Sequence, residues 1–171
     1  MKQMLLVTGL ILLIPFLVVN VFIKNDEIKF HFVSNDVIRV KDEKTGKIKD
    51  VLFEEYIKGV IAGEMGANFE LEALKAQAVA ARSYAMYKME KTKKQDYDVV
   101  NTVMNQVYLT DEDLKEKWQE NYDEKMNKIK SAVVETKGEY MTYEGKLVEA
   151  LFFSTSTGKT ENSEEIFYIE I

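Results

Sequence analysis

The segment Glu70 to Glu90, ELEALKAQAVAARSYAMYKME, places the strongest constraint on the fold, because it carries six alanines and neither Gly nor Pro. Helix propensity is therefore high throughout. At about 100° per residue, Leu71, Leu74, Ala78, Ala85 and Met89 share one stripe. Lys75 and Arg82 fall on the same stripe, about 40° and 20° from Leu71. Ala73, Ala76 and Ala80 keep the other sides small enough for close packing, which predicts a helix at the centre of its domain. A charge on a buried stripe needs a partner carboxylate or a polar cleft. Two readings of Lys75 and Arg82 stay open: a structural ion pair to a neighbouring loop, or a charge that faces a site.

A second constraint lies at the N-terminus. Met4 to Ile23 reads MLLVTGLILLIPFLVVNVFI, twenty positions without a charge. As a helix it spans roughly 30 Å, the thickness of the bilayer's hydrocarbon. It lacks a small-x-small cleavage pattern, so an uncleaved anchor is preferred over a signal peptide and over a buried core helix. Lys2 precedes the run while Asp26 and Glu27 follow it, a bias that keeps the N-terminus inside. The expected organisation is a membrane anchor over residues 1–23 and an ectodomain over 24–171, facing outward from the cell membrane. The expected fold class is α+β, an N-terminal transmembrane helix followed by a mixed ectodomain with a central Ala-rich helix among strands.

The rest of the chain alternates between strand and helix patterns. Ile28 to Val33 alternates apolar and polar residues, and Val37 to Val40 predicts a second strand. Asp42 to Lys47 carries turn residues ahead of Ile48. From Phe53 to Ile61 the spacing is helical, and Gly63 and Gly66 mark where that helix stops. Asp111 to Lys137 predicts one long helix with Leu114, Trp118, Met126, Ile129 and Val133 along one side, opened by a capping box of Thr110 and Asp113. Glu139 to Tyr143 and Leu147 to Phe153 flank Glu144-Gly145 as a hairpin.

Composition removes several function classes. The chain has no Cys, which excludes thiol nucleophiles, disulfides and thiolate zinc sites, and no cofactor is expected. A net charge of -6 argues against nucleic acid as a partner. Gly158-Lys159-Thr160 ends like a phosphate loop, but Phe153 stands where the first glycine of that motif belongs. A nucleophile at Ser154 or Ser156 needs a base, and the one histidine, His31, lies on the polar face of an early strand. Glu64 is the carboxylate of interest, because Gly63 and Gly66 on either side of it let a substrate approach closely. By residue type alone it is either a surface charge at a turn or a catalytic acid.

Two blocks carry a resemblance. LFEEYIKGVIAGEMGANFELEALKAQAVAARSYAMY, Leu52 to Tyr87, and GEYMTYEGKLVEALFFSTSTGKTENSEEIF, Gly138 to Phe167, closely resemble the stage II sporulation protein D family, also called the amidase enhancer family. QVY at Gln106 to Tyr108 fits as well. The resemblance implies an anchored, exported protein that acts on peptidoglycan during forespore engulfment. The activity it implies is that of a lytic transglycosylase, which cleaves between N-acetylmuramic acid and N-acetylglucosamine and leaves a 1,6-anhydro end. Carried over by motif, Glu64 of GEM is the implied acid and then base, and Arg82 of AAR is an implied substrate-binding residue of the site. Ser154, Thr155 and Ser156 of STSTGKT belong to a block near the glycan cleft. The implied partners are glycan strands, a sporulation amidase and a membrane protein of the engulfment machinery.

The chain departs from the family pattern in three places. Gly66 stands where relatives often have Pro, and Met104-Asn105 stands where some carry zinc ligands, so no zinc is predicted. Relatives also continue beyond the position of Phe167, so a shortened product is expected. The alternative readings are a glycan-binding or amidase-activating module without catalysis, and an inactive truncated copy.

Overall fold

A computed structural model describes residues 37–152 and Gly158. By its contacts the chain divides into Met1–Phe32 and Val33–Ile171, and every described residue belongs to the second unit. The expected strand from Ile28 to Val33, with His31, lies outside the described residues.

Strands β1 (Val37–Lys41) and β2 (Ile48–Leu52) form an antiparallel hairpin with Val37 opposite Leu52 and Lys41 opposite Ile48. The Asp42 carboxylate closes the turn by accepting the Thr45 N–H and hydroxyl, both at 2.7 Å. Gly46 takes the left-handed conformation there, with φ +69°. The chain passes directly from Leu52 into helix α1 (Phe53–Glu64) and then α2 (Leu71–Lys91) before returning as β3 (Val99–Val100). β3 lies parallel to β1, giving the order β2-β1-β3. A parallel pair needs a crossover, and α1 and α2 are that crossover.

Helices α3 (Asp111–Trp118) and α4 (Tyr122–Glu135) follow, then a hairpin of β4 (Thr142–Tyr143) and β5 (Lys146–Leu147). Thr110 and Asp113 form both halves of the capping box. The hairpin turns at Glu144 and Gly145, both at positive φ, which is the two-residue geometry whose twist suits paired strands. The single long helix expected from Asp111 to Lys137 is instead two helices separated by a 3-10 turn over Gln119–Asn121. Gln119 at φ +48° breaks the ladder, and Asp123 and Glu124 then stabilise a fresh helix N-terminus.

The expected fold class is corrected in two respects. Among the described residues no helix is long and apolar enough to cross a membrane, so the described fold is a mixed α/β domain without a spanning helix; Met4 to Ile23 lies outside the described residues. Nor does the Ala-rich helix sit among strands. α2 packs chiefly on α1 and α4 and meets strands only at its margins. The most buried helix is α1, with Phe53, Tyr56, Ile57, Val60 and Ile61 at most 1% exposed. The reason is geometric: a sheet with one strand of two residues is too small to cover a helix of 21, whereas alanine faces let helices approach each other closely.

An ion pair ties the crossover down. Arg39 on β1 holds Asp98 through Nε at 3.1 Å and Nη2 at 2.6 Å, and its backbone N–H donates to the same carboxylate at 2.9 Å. The Thr92 hydroxyl adds a further bond to Asp98 at 2.7 Å.

Candidate active site

Glu64 is the last residue of α1. The helix ends there because Gly66 turns left-handed at φ +76°, and the N–H groups of Met65 and Gly66 both donate to the Ile61 carbonyl at 3.0 Å. One Glu64 oxygen is fixed from outside the helix: the Val107 backbone N–H donates to Oε1 at 2.6 Å. Two glycines one turn apart bring Val107 there. A Cβ at Gly63 would overlap the Val107 carbonyl, and one at Gly59 would overlap the Leu109 carbonyl and the Tyr108 ring. The segment Gln106 to Thr110 therefore lies in a shallow track along α1, and Leu109 N–H donates to the Gly59 carbonyl at 3.3 Å. The space beside Gly63 is filled by the chain itself and is not open to a substrate.

Gln106 anchors the start of that segment. Its fully buried side chain accepts the Tyr56 hydroxyl at 3.1 Å and donates to the Ala81 carbonyl at 3.3 Å, which links α1 to α2. Burial pushes the Tyr56 phenol up from its ordinary value, and the nearby Tyr84, Glu64 and Tyr108 push it further the same way. Tyr108 stacks on Tyr56 with ring centroids 5.2 Å apart. Its own phenol is pushed up to about 12, by burial and then by Asp111, Glu55, Glu112 and Asp113.

Glu64 lines a cavity of about 300 Å³. Tyr84 from α2 and Asn105 supply its other polar groups, and the Asn105 Nδ2 donates to the Tyr84 hydroxyl at 3.0 Å. Val103, Ala150, Leu151 and Phe152 form the apolar part of the wall. Among the described residues no second carboxylate lines this cavity, and none of them is hydrogen-bonded to Glu64 Oε2. A backbone N–H can only donate, so Oε1 is held as its acceptor.

Arg82 is not part of that wall. It is 1% exposed; its Nε and Nη2 donate to the two oxygens of Glu54 at 3.1 and 2.9 Å, and its Nη1 donates to the Glu139 carbonyl at 2.9 Å. Beside it the Ser83 hydroxyl accepts the Met141 N–H at 2.8 Å. Both residues hold the chain that leads to the β4–β5 hairpin and on to Ala150. Lys75 pairs with Glu72 at 2.7 Å and with Glu135 of α4 at 2.6 Å. The structural ion pair is thus the arrangement seen at both charges on the stripe. Ser154, Thr155 and Ser156 lie outside the described residues. Among the tyrosines, Tyr84 faces the cavity, Tyr108 stacks on Tyr56, and Tyr143 is exposed on β4. Among the described residues no group of three His, Asp or Glu is placed to hold a metal ion.

Residues 41–143, more than half of the chain, match the family model described as Stage II sporulation protein. This chain belongs to the stage II sporulation protein family. It is 43% identical over 121 residues to Stage II sporulation protein D of Bacillus subtilis, and equally so to that of Bacillus amyloliquefaciens. Each alignment covers 68% of this chain and 35% of the relative, so the chain spans about a third of the length of these curated relatives. It is also 39% identical over 111 residues to the Amidase enhancer of Bacillus subtilis, covering 65% of this chain and 13% of that protein.

The family match takes in Glu64, Tyr84 and the Gln106 to Thr110 segment, whereas Ala150 to Phe152 lie beyond residue 143. Sequence reasoning passed over Asn105, Val103 and the N–H of Val107. The available signal for Val107 was the pair Gly59 and Gly63: two glycines four apart inside an apolar helix mark a close backbone approach.

Proposed function

We propose that this chain is a peptidoglycan lytic transglycosylase acting outside the cytoplasmic membrane during sporulation, with Glu64 as its acid and base. The observation that carries the reading is one carboxylate, alone among the described residues at a cavity of sugar size, with Oε1 pinned by Val107 and Oε2 meeting no partner among those residues. Glycosidases that use water commonly need two carboxylates. A transglycosylase needs one. Protonated at Oε2, Glu64 donates to the glycosidic oxygen as the bond from muramic C1 breaks. The C6 hydroxyl of the same sugar attacks C1, and its proton passes to Glu64, which restores the acid and leaves the 1,6-anhydro ring. In this scheme Arg82 acts through the chain it holds, and Ser154, Thr155 and Ser156 contact the glycan.

The test is mass spectrometry of peptide-free glycan strands incubated with the protein or with Glu64→Gln. Anhydro-muramyl ends from the parent alone are the expected result. Their absence from a folded parent would sink the reading. The Amidase enhancer relative supports a second one, in which the chain binds glycan and activates a sporulation amidase. In that case amidase stimulation survives Glu64→Gln.

A further inference from the structure

We infer that Tyr84, aimed by Asn105, is a substrate-binding residue of the Glu64 cavity that donates a hydrogen bond to an acetamido carbonyl of the bound glycan; this rests on the glycan reading above. The direction of that bond follows from a chain of donors. The Val100 backbone N–H donates to Asn105 Oδ1 at 2.8 Å. A main-chain N–H cannot accept, so the orientation of the Asn105 amide is set and Nδ2 is the group that faces Tyr84. Nδ2 then donates to the Tyr84 hydroxyl oxygen at 3.0 Å. The neighbouring Lys88 ammonium, 5.1 Å from the ring centroid, is also only a donor.

Neither neighbour can receive the hydrogen of the Tyr84 hydroxyl, and among the described residues no acceptor meets it. Tyr84 is 4% exposed, and a buried phenol ordinarily finds an acceptor. The cavity it lines is where a ligand can supply one.

The shape of the wall selects the acceptor. Val103 and Leu151 lie at the same cavity and are 84% and 52% exposed, so they present apolar surface at its edge. A sugar hydroxyl offers an oxygen with no apolar partner. An acetamido group offers a strong carbonyl acceptor with a methyl beside it, which matches one phenol donor next to two aliphatic side chains. A site built around a hydrogen bond discriminates sharply against a ligand that lacks the partner group.

The experiment uses the full chain carrying Glu64→Gln, so that binding is read without turnover, and two probes: peptide-free glycan strands and the same strands de-N-acetylated. Preference for the acetylated strand is expected, and adding Tyr84→Phe should lower that preference by about tenfold, the scale of one buried hydrogen bond. Removing acetyl groups also exposes amines, but comparing the preference between variants cancels that charge. Asn105→Asp replaces the donor by an acceptor that draws the Tyr84 hydrogen away from the cavity, so it should lower the preference as well. An unchanged preference in a folded Tyr84→Phe protein overturns the role of Tyr84. Equal binding of both strands by the parent overturns acetamido recognition while leaving glycan binding intact. Binding of neither strand overturns both readings together.

Discussion

Gly63 gives the Val107 carbonyl room against helix α1, and the N–H of Val107 thereby reaches Glu64 at 2.6 Å. The absence of a side chain at one residue sets the position of the carboxylate at the next.

Gly63→Ala should accordingly be harmful although it raises helix propensity by roughly 1 kcal/mol. The new Cβ meets main chain, which has no rotamer to move away. We expect a lower urea midpoint and, on the proposed transglycosylase reading, loss of glycan cleavage. Gly66→Ala is the contrast: nothing lies near its Cβ, but φ is +76°, so the cost is about 1–2 kcal/mol of backbone strain with activity kept. Equal losses of activity in the two variants would contradict this account.

Arg82→Met leaves Glu54 without its bidentate partner and the Glu139 carbonyl without a donor. Breaking one half of a buried pair costs about 3–5 kcal/mol. Arg82→Lys should recover only part of this, because an ammonium cannot span both carboxylate oxygens while also reaching Glu139. In a double-mutant cycle with Glu54→Gln, the coupling should exceed 1 kcal/mol, roughly the scale for contacting residues. Additive losses in chemical denaturation would mean that the pair is not what holds the segment after α4.

Most of the regular structure was legible locally, and the site was legible only in part. The β1–β2 turn, the start of α1, the Thr110 capping box and the Glu144-Gly145 hairpin each rest on residues a few positions apart. The parallel strand β3 is two residues long, too short for a period to register, and exists because Asp98 is held by Arg39 from 59 residues away. The track along α1 pairs Gly59 with Leu109, and the Asn105–Tyr84 bond joins a loop to a helix. Such contacts leave no trace in hydrophobic periodicity. Glu64 stood out because of the glycines around it, yet Gly63 makes space for the chain's own backbone and Gly66 ends the helix.

Acid should weaken the fold through Asp98. Burial pushes its carboxyl up, but hydrogen bonds from the Arg39 side chain and backbone and from Thr92 outweigh that and hold it below the ordinary 3.8. The folded state therefore binds this proton less readily than the unfolded chain. The stabilisation is complete above the unfolded value and is lost as pH falls through the lower folded value. Asp98→Asn should lower the Tm clearly at pH 7, and the gap to the parent should narrow below pH 3.8. A gap that stays constant down to pH 2.5, on the order of one unit below that value, would exclude the ion pair as its source.

Base should act through Tyr108. Its phenol is raised from 10.0 to about 12, first by burial and then by the carboxylates of Asp111, Glu55, Glu112 and Asp113. The folded state keeps this proton where the unfolded chain releases it. That contribution is fully present below 10.0 and disappears as pH rises towards 12. In an ultraviolet titration of the folded protein, Tyr108 should ionise in the late part of the curve, and Tyr108→Phe should remove amplitude from that part only. Because Tyr108 also stacks on Tyr56, its ring must stay for the fold to survive, and phenylalanine supplies it. Loss of early amplitude in Tyr108→Phe would show that the Gln106 to Thr110 segment is not seated against α1 in solution.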